Sequence, residues 1–152
     1  AKGMPGSLSI VSGAIAGLVA ITPAAGYTDP LSSIAIGAIA GLVCFYTLGF
    51  RMRHGLDESL DAWAIHGVGG VWGALATGLF ATLAVGNYSG LLYGNVAQFA
   101  AQILAVAASI AFSFGATYGL AKLIDRVMGL RVGDQEEYVG LDLAQLGERA
   151  YS

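Results

Sequence analysis

Residues 60–85 read LDAWAIHGVGGVWGALATGLFATLAV. One carboxylate, Asp61, and one imidazole, His66, stand near the front of this stretch, and no ionisable side chain follows His66 within it. A helix needs roughly 20 mainly apolar residues to cross the hydrocarbon core of a bilayer, and this stretch exceeds that. The same signal recurs at about 8–25, 31–50 and 96–123. All four stretches are expected to be helical, because a helix satisfies its own backbone hydrogen bonds where no water is available.

Composition agrees. Of the 152 residues, 56% are hydrophobic and only 11% charged, with a mean hydropathy of +0.69. A soluble domain carries about 25% charged residues. A chain this poor in charge cannot cover itself with water-compatible groups, and lipid is the simplest alternative solvent. The expectation is an all-α membrane protein with four transmembrane helices. The transmembrane region spans residues 1–126 and a cytoplasmic C-terminal tail spans 127–152. The net charge of −3 with no basic run argues against nucleic acid as a partner. A single cysteine, Cys44, excludes an internal disulfide and reads as a small buried side chain. The start, Ala1-Lys2-Gly3-Met4-Pro5-Gly6, lacks an initiator Met, and the apolar run behind it continues too far for a signal peptide. The chain reads as part of something longer.

The connections set the orientation. Gly26-Tyr27-Thr28-Asp29-Pro30 and residues 86–95 carry no basic side chain, whereas Arg51-Met52-Arg53-His54-Gly55-Leu56-Asp57-Glu58 is strongly charged. Lys2, Arg51, Arg53, Lys122, Arg126, Arg131 and Arg149 all fall on one side of a four-span layout. The positive-inside rule makes that side cytoplasmic, the C-terminus with it.

Small residues are dense inside the spans. Gly13 and Gly17, Gly37 and Gly41, and Gly69 and Gly73 are each four apart. Such pairs share a helix face and allow close approach of a neighbour. Gly-Ala-Ile-Ala-Gly-Leu-Val occurs at 13–19 and again at 37–43, on oppositely directed helices, and reads as two close-packing faces.

His66 is the most informative residue. Ionisable groups at membrane depth are costly and face a bundle interior or a cavity. Two readings stay open on position alone: a neutral core histidine bonded to a backbone carbonyl, or a pore group. Gly67, Gly69, Gly70 and Gly73 follow it and leave room for another helix or another imidazole to come close. Imidazole donates at one nitrogen and accepts at the other near neutral pH, which suits a small proton-exchanging solute. A metal or haem site is disfavoured: His54, the other histidine, lies in a charged loop, and no Cys or His stands at ligand spacing. Asp61 is expected in the first turns of the span, favoured by the helix dipole with Asp57 or Ser59 as cap, or as a polar contact holding the helix. Trp63 suits a membrane interface and Trp72 a packing position.

The sequence resembles the ammonium transporter (Amt/Mep/Rh) family. The resemblance rests on Ser12-Gly13-Ala14-Ile15-Ala16-Gly17-Leu18-Val19 with Thr22-Pro23-Ala24-Ala25-Gly26-Tyr27, and on Asp61-Ala62-Trp63-Ala64-Ile65-His66-Gly67-Val68-Gly69-Gly70. It rests also on a tail carrying Gly129-Leu130-Arg131-Val132, Glu136-Glu137, Gly140-Leu141-Asp142 and Gly147-Glu148-Arg149-Ala150-Tyr151. The tail is similar to the Amt branch. The resemblance implies a transporter rather than an enzyme, without metal or cofactor, and an eleven-span subunit of a homotrimer in the cell membrane. This chain would supply the last four spans and the cytoplasmic tail. His66 would be the second of the family's twin pore histidines, with Ile15 and Thr22 near the pore and Asp61 structural. The external recruitment site, the phenylalanine gate and the first histidine belong to earlier spans. The implied activity is passage of ammonium/ammonia, with a PII-type signalling protein as partner of the tail. Leu146 stands where the family usually has His before Gly-Glu. Two rival functions are an ammonium sensor signalling through the tail and a non-transporting membrane subunit.

Overall fold

The computed structural model describes residues 6–58 and 60–149. Lys2, Ser59, Ala150 and Tyr151, used above, lie outside the described residues. Helix α1 is Ser7–Ile21 and α2 is Pro30–His54. A π turn, Trp63–Val68, runs directly into α3, Gly69–Phe80. A short 3-10 turn, Leu91–Tyr93, leads to α4, Val96–Met128. The tail forms α5, Asp134–Val139, and a second π turn, Asp142–Leu146. The chain divides into two units, the first ending at Ala108 and the second starting at Ser109.

Helix ends follow local chemistry. Helix α1 stops at Ile21, short of Ala25, because Pro23 cannot continue it. The Thr22 hydroxyl and N–H both turn back to Leu18 O. Asp29 caps α2, its carboxylate accepting from the N–H groups of Leu31 and Ser32 at 3.0 and 3.1 Å, with Pro30 at the first helical position. Gly55, at φ 60°, ends α2 beyond Phe50. The apolar stretch 60–85 is helical only through Phe80. Ala81 turns extended, the Thr82 N–H bonds Tyr27 O at 2.8 Å, and the Gly90 N–H bonds Ala81 O at 2.7 Å. Hydropathy continues to Val85, but the backbone there is tied to the α1–α2 turn instead.

The first unit packs through small residues. Ala20, Ala24, Ile36, Ala40 and Ala76 form one fully buried cluster, and Ala16, Cys44 and Ile65 a second. The two copies of the heptapeptide meet: Gly17 faces Gly37, each Cα 3.9 Å from where the other's Cβ would stand. A Cβ at Gly73 would lie 2.2 Å from Ala20 O, so α3 crosses α1 at backbone contact. Trp72 donates from Nε1 to Ile36 O at 3.0 Å and ties α3 to α2. Trp72 is thus a packing residue, and Cys44 is buried beside Gly69.

Two helices, α2 and α4, are long and apolar enough to cross a membrane, while α1 is apolar but 15 residues long. Large apolar side chains are exposed along every one of them, Leu18, Leu42 and Phe112 among others. In the second unit, Arg131 pairs with Glu137 at 3.0 Å in an exposed, forked contact, a kind that stabilises little.

Candidate functional site

Residues 51–70 build the site. The last turn of α2 presents Arg51. Its Nη1 donates to the carbonyl of Glu58, and its Nη2 lies 2.8 Å from Oδ1 of Asp61. That ion pair is close but not aligned as a hydrogen bond, since Oδ1 has no hydrogen-bond partner among the described residues. Both side chains are mostly buried. Asp61 adopts φ 55°, the left-handed region that Asp tolerates better than most residues.

Asp61 therefore precedes the helix rather than sitting in its first turns. Its carbonyl accepts the first bond, from Ile65 N at 2.9 Å. Asp57 is not the observed cap: the carboxylate of Glu58 takes the N–H of Trp63, and the expectation for Ser59 lies outside the described residues. Asp61 is left facing Arg51.

The π turn carries His66. Ala64 and Ile65 are buried, whereas His66 and Gly67 are exposed. Among the described residues the imidazole makes no hydrogen bond to a backbone carbonyl or to any other group. The Trp63 ring is half exposed and lies along the turn, 3.5 Å from where a Gly67 Cβ would be.

Ile15 is exposed on α1, and Thr22 is exposed at the C-cap of that helix, about two turns further on. Two of the cavities among the described residues lie in the first unit. One, of about 530 Å³, lies among α1, α2 and the start of the π turn, and includes Gly13, Gly41, Cys44, Arg51, Asp61 and Ile65. The other, of about 300 Å³, includes Pro23, Tyr27 and Gln102. Neither is lined by His66, Ile15 or Thr22. The three residues are all uncovered, and neither of these two cavities gathers them. Among the described residues no cluster of three His, Cys, Asp or Glu side chains could hold a metal ion.

The sequence matches the model of the Ammonium Transporter Family over residues 1–151. This chain belongs to the ammonium transporter family. It is 56% identical to ammonium transporter Amt1 of Archaeoglobus fulgidus over 99% of this chain and 39% of that protein. It is 48% identical to an ammonium transporter of Bacillus subtilis, over 97% of this chain and 37% of that protein. Among solved structures, Candida albicans Mep2 superposes with a TM-score of 0.81 at 35% identity, over 95% of this chain and 34% of that one. The chain thus spans less than two fifths of the length of these relatives. The Archaeoglobus fulgidus and Bacillus subtilis relatives are both named ammonium transporters. The all-helical architecture is that of a membrane protein of this family.

The Arg51–Asp61 pair and the π turn escaped sequence reasoning. The pair had a signal: a basic and an acidic residue flank the same short loop. The π turn had none, since composition does not distinguish bonding over five residues from bonding over four.

Proposed function

We propose that this chain forms the C-terminal part of a subunit that moves ammonium/ammonia across the cell membrane through a narrow apolar pore. Helices α1, α2, the π turn with α3, and α4 would be the last four of eleven spans, with the tail in the cytoplasm. Where α1 falls short of a full crossing, the turns through Tyr27 complete it inside protein, where irregular backbone is tolerated. The length of the relatives leaves room for the earlier spans.

One observation carries the reading: His66, the one ionisable side chain well inside the third span, stands on the uncovered side of a helix whose other side is packed. An imidazole there is oriented toward whatever the earlier spans bring against it. Charged ammonium pays a large desolvation penalty in an apolar passage, whereas ammonia does not. In the proposed mechanism the proton is shed at the outer mouth, ammonia passes a pair of imidazoles with His66 as the second, and the proton is regained inside. His66 offers a hydrogen bond at the stage where no water does. Ile15 and Thr22 border the same path, Asp61 is structural, and three subunits assemble with one pore each. The tail is the candidate contact for a PII-type protein.

Methylammonium uptake by the natural protein carrying His66→Ala tests this. A general reduction or a loss of ion selectivity is expected. Unchanged rate together with unchanged selectivity would remove His66 from the pore.

A further inference from the structure

Resting on the pore reading, we propose that Arg51 is a positioning residue for His66, acting through Asp61 and the π turn. The packed side of α3 runs through Gly69, Gly73, Ala76 and Thr77. Continued upstream at 3.6 residues per turn, that stripe falls between Ile65 and His66. The buried residues observed are instead Ala64 and Ile65, with His66 outside. A π turn closes its bonds over five residues, so each turn takes up extra chain and the residues upstream rotate back. The π turn therefore places Ala64 and Ile65 against the bundle and moves His66 and Gly67 off it.

π turns are rare, and this one is held at both ends. Downstream, Gly69 lies against Cys44 and Gly73 against the backbone of Ala20. Upstream, the Asp61 carbonyl accepts from Ile65, the Glu58 carboxylate accepts from Trp63, and one guanidinium holds the Asp61 carboxylate and the Glu58 main chain. Arg51 binds the Asp61 carboxylate with one nitrogen and the Glu58 carbonyl with another. It thereby fixes to α2 the loop that starts the turn. With both ends fixed, the surplus residue is absorbed between them. A lysine ammonium lacks the fork that reaches both partners. Arg51 does not touch the exposed imidazole in any recorded contact, so its effect is on where His66 points.

The test is methylammonium uptake by the natural protein at matched membrane levels, with Arg51→Gln, His66→Ala and the double variant. Arg51→Gln is expected to lower the maximal rate at least about tenfold, short of the roughly hundredfold that misplacing a working group by a full ångström can cost, while KM moves less. In the His66→Ala background the same change is expected to alter the rate less than about twofold, the range of independent additivity error. Losses that multiply overturn the assignment. If His66→Ala alone leaves uptake and selectivity intact, the pore reading fails and this inference with it. If His66→Ala impairs uptake and Arg51→Gln adds its full loss, only the role of Arg51 falls. Should Arg51→Gln not reach the membrane, Arg51→Lys replaces it, with a smaller loss that again vanishes beside His66→Ala; multiplying losses overturn the proposal there too. Should His66→Ala be inactive, ¹⁵N-histidine NMR reads the ring directly: Arg51→Gln is expected to shift the His66 resonances, and unmoved resonances overturn the assignment.

Discussion

Replacing Gly73 with Ala sets a Cβ 2.2 Å from the carbonyl oxygen of Ala20 and 2.9 Å from its carbonyl carbon and Cα. Ordinary contact begins near 3.4 Å, so α1 and α3 must part by roughly 1 Å, enough to forfeit a quarter to a half of each dispersion contact between them. Backbone stands on both sides and no rotamer relieves the clash. The cost belongs at the upper end of overpacking effects, about 3 kcal/mol. Alanine returns about 1 kcal/mol of helix propensity over glycine, leaving a net loss of about 2 kcal/mol. Gly119→Ala is the control, because a Cβ there meets nothing within 4 Å. Thermal unfolding of the detergent-solubilised natural protein, followed by fluorescence-detected size exclusion, compares the two. Gly73→Ala should melt several degrees below the parent, and Gly119→Ala at or slightly above it. Equal midpoints for the two variants would refute the backbone crossing and the packing argument built on it.

Trp72→Phe keeps the ring and removes the Nε1 donor to Ile36 O. A loss of about 1 kcal/mol is expected in the same melting assay, and a loss well beyond that would mean that the indole does more than tie α3 to α2. The Ser32 hydroxyl, followed by the N–H groups of Ser32 and Leu31, holds the Asp29 carboxyl below the usual carboxylate range. A lowered folded pKa gives stability that is full above the unfolded value of about 3.9 and is lost as pH falls through the folded one. Amide exchange at Leu31 and Ser32 should therefore accelerate, after correction for intrinsic rates, below about pH 4, and Asp29→Asn should flatten that response.

The sequence made the membrane setting legible because hydropathy and charge act over whole spans. The glycine pairs were legible only in part: Gly17 meets Gly37 and Gly73 meets Ala20, whereas a Cβ at Gly13 or Gly41 would meet nothing within 4 Å. Helix ends were less legible. Phe80 ends α3 because Thr82 bonds Tyr27, a residue 55 positions earlier, and no local pattern announces such a bond. Nor was it legible that Glu58 takes the Trp63 N–H, or that Asp61 adopts the left-handed region, which a non-glycine residue does not advertise. His66 stood out by its chemistry. The side it faces depends on the π turn, which composition does not encode.

A density map of the intact oligomer, at a resolution that places side chains, tests the central claim most directly. The account predicts the His66 imidazole bordering a continuous narrow passage between this segment and the earlier spans. A ring lying against acyl chains, or enclosed in solid packing with no opening beside it, would contradict it.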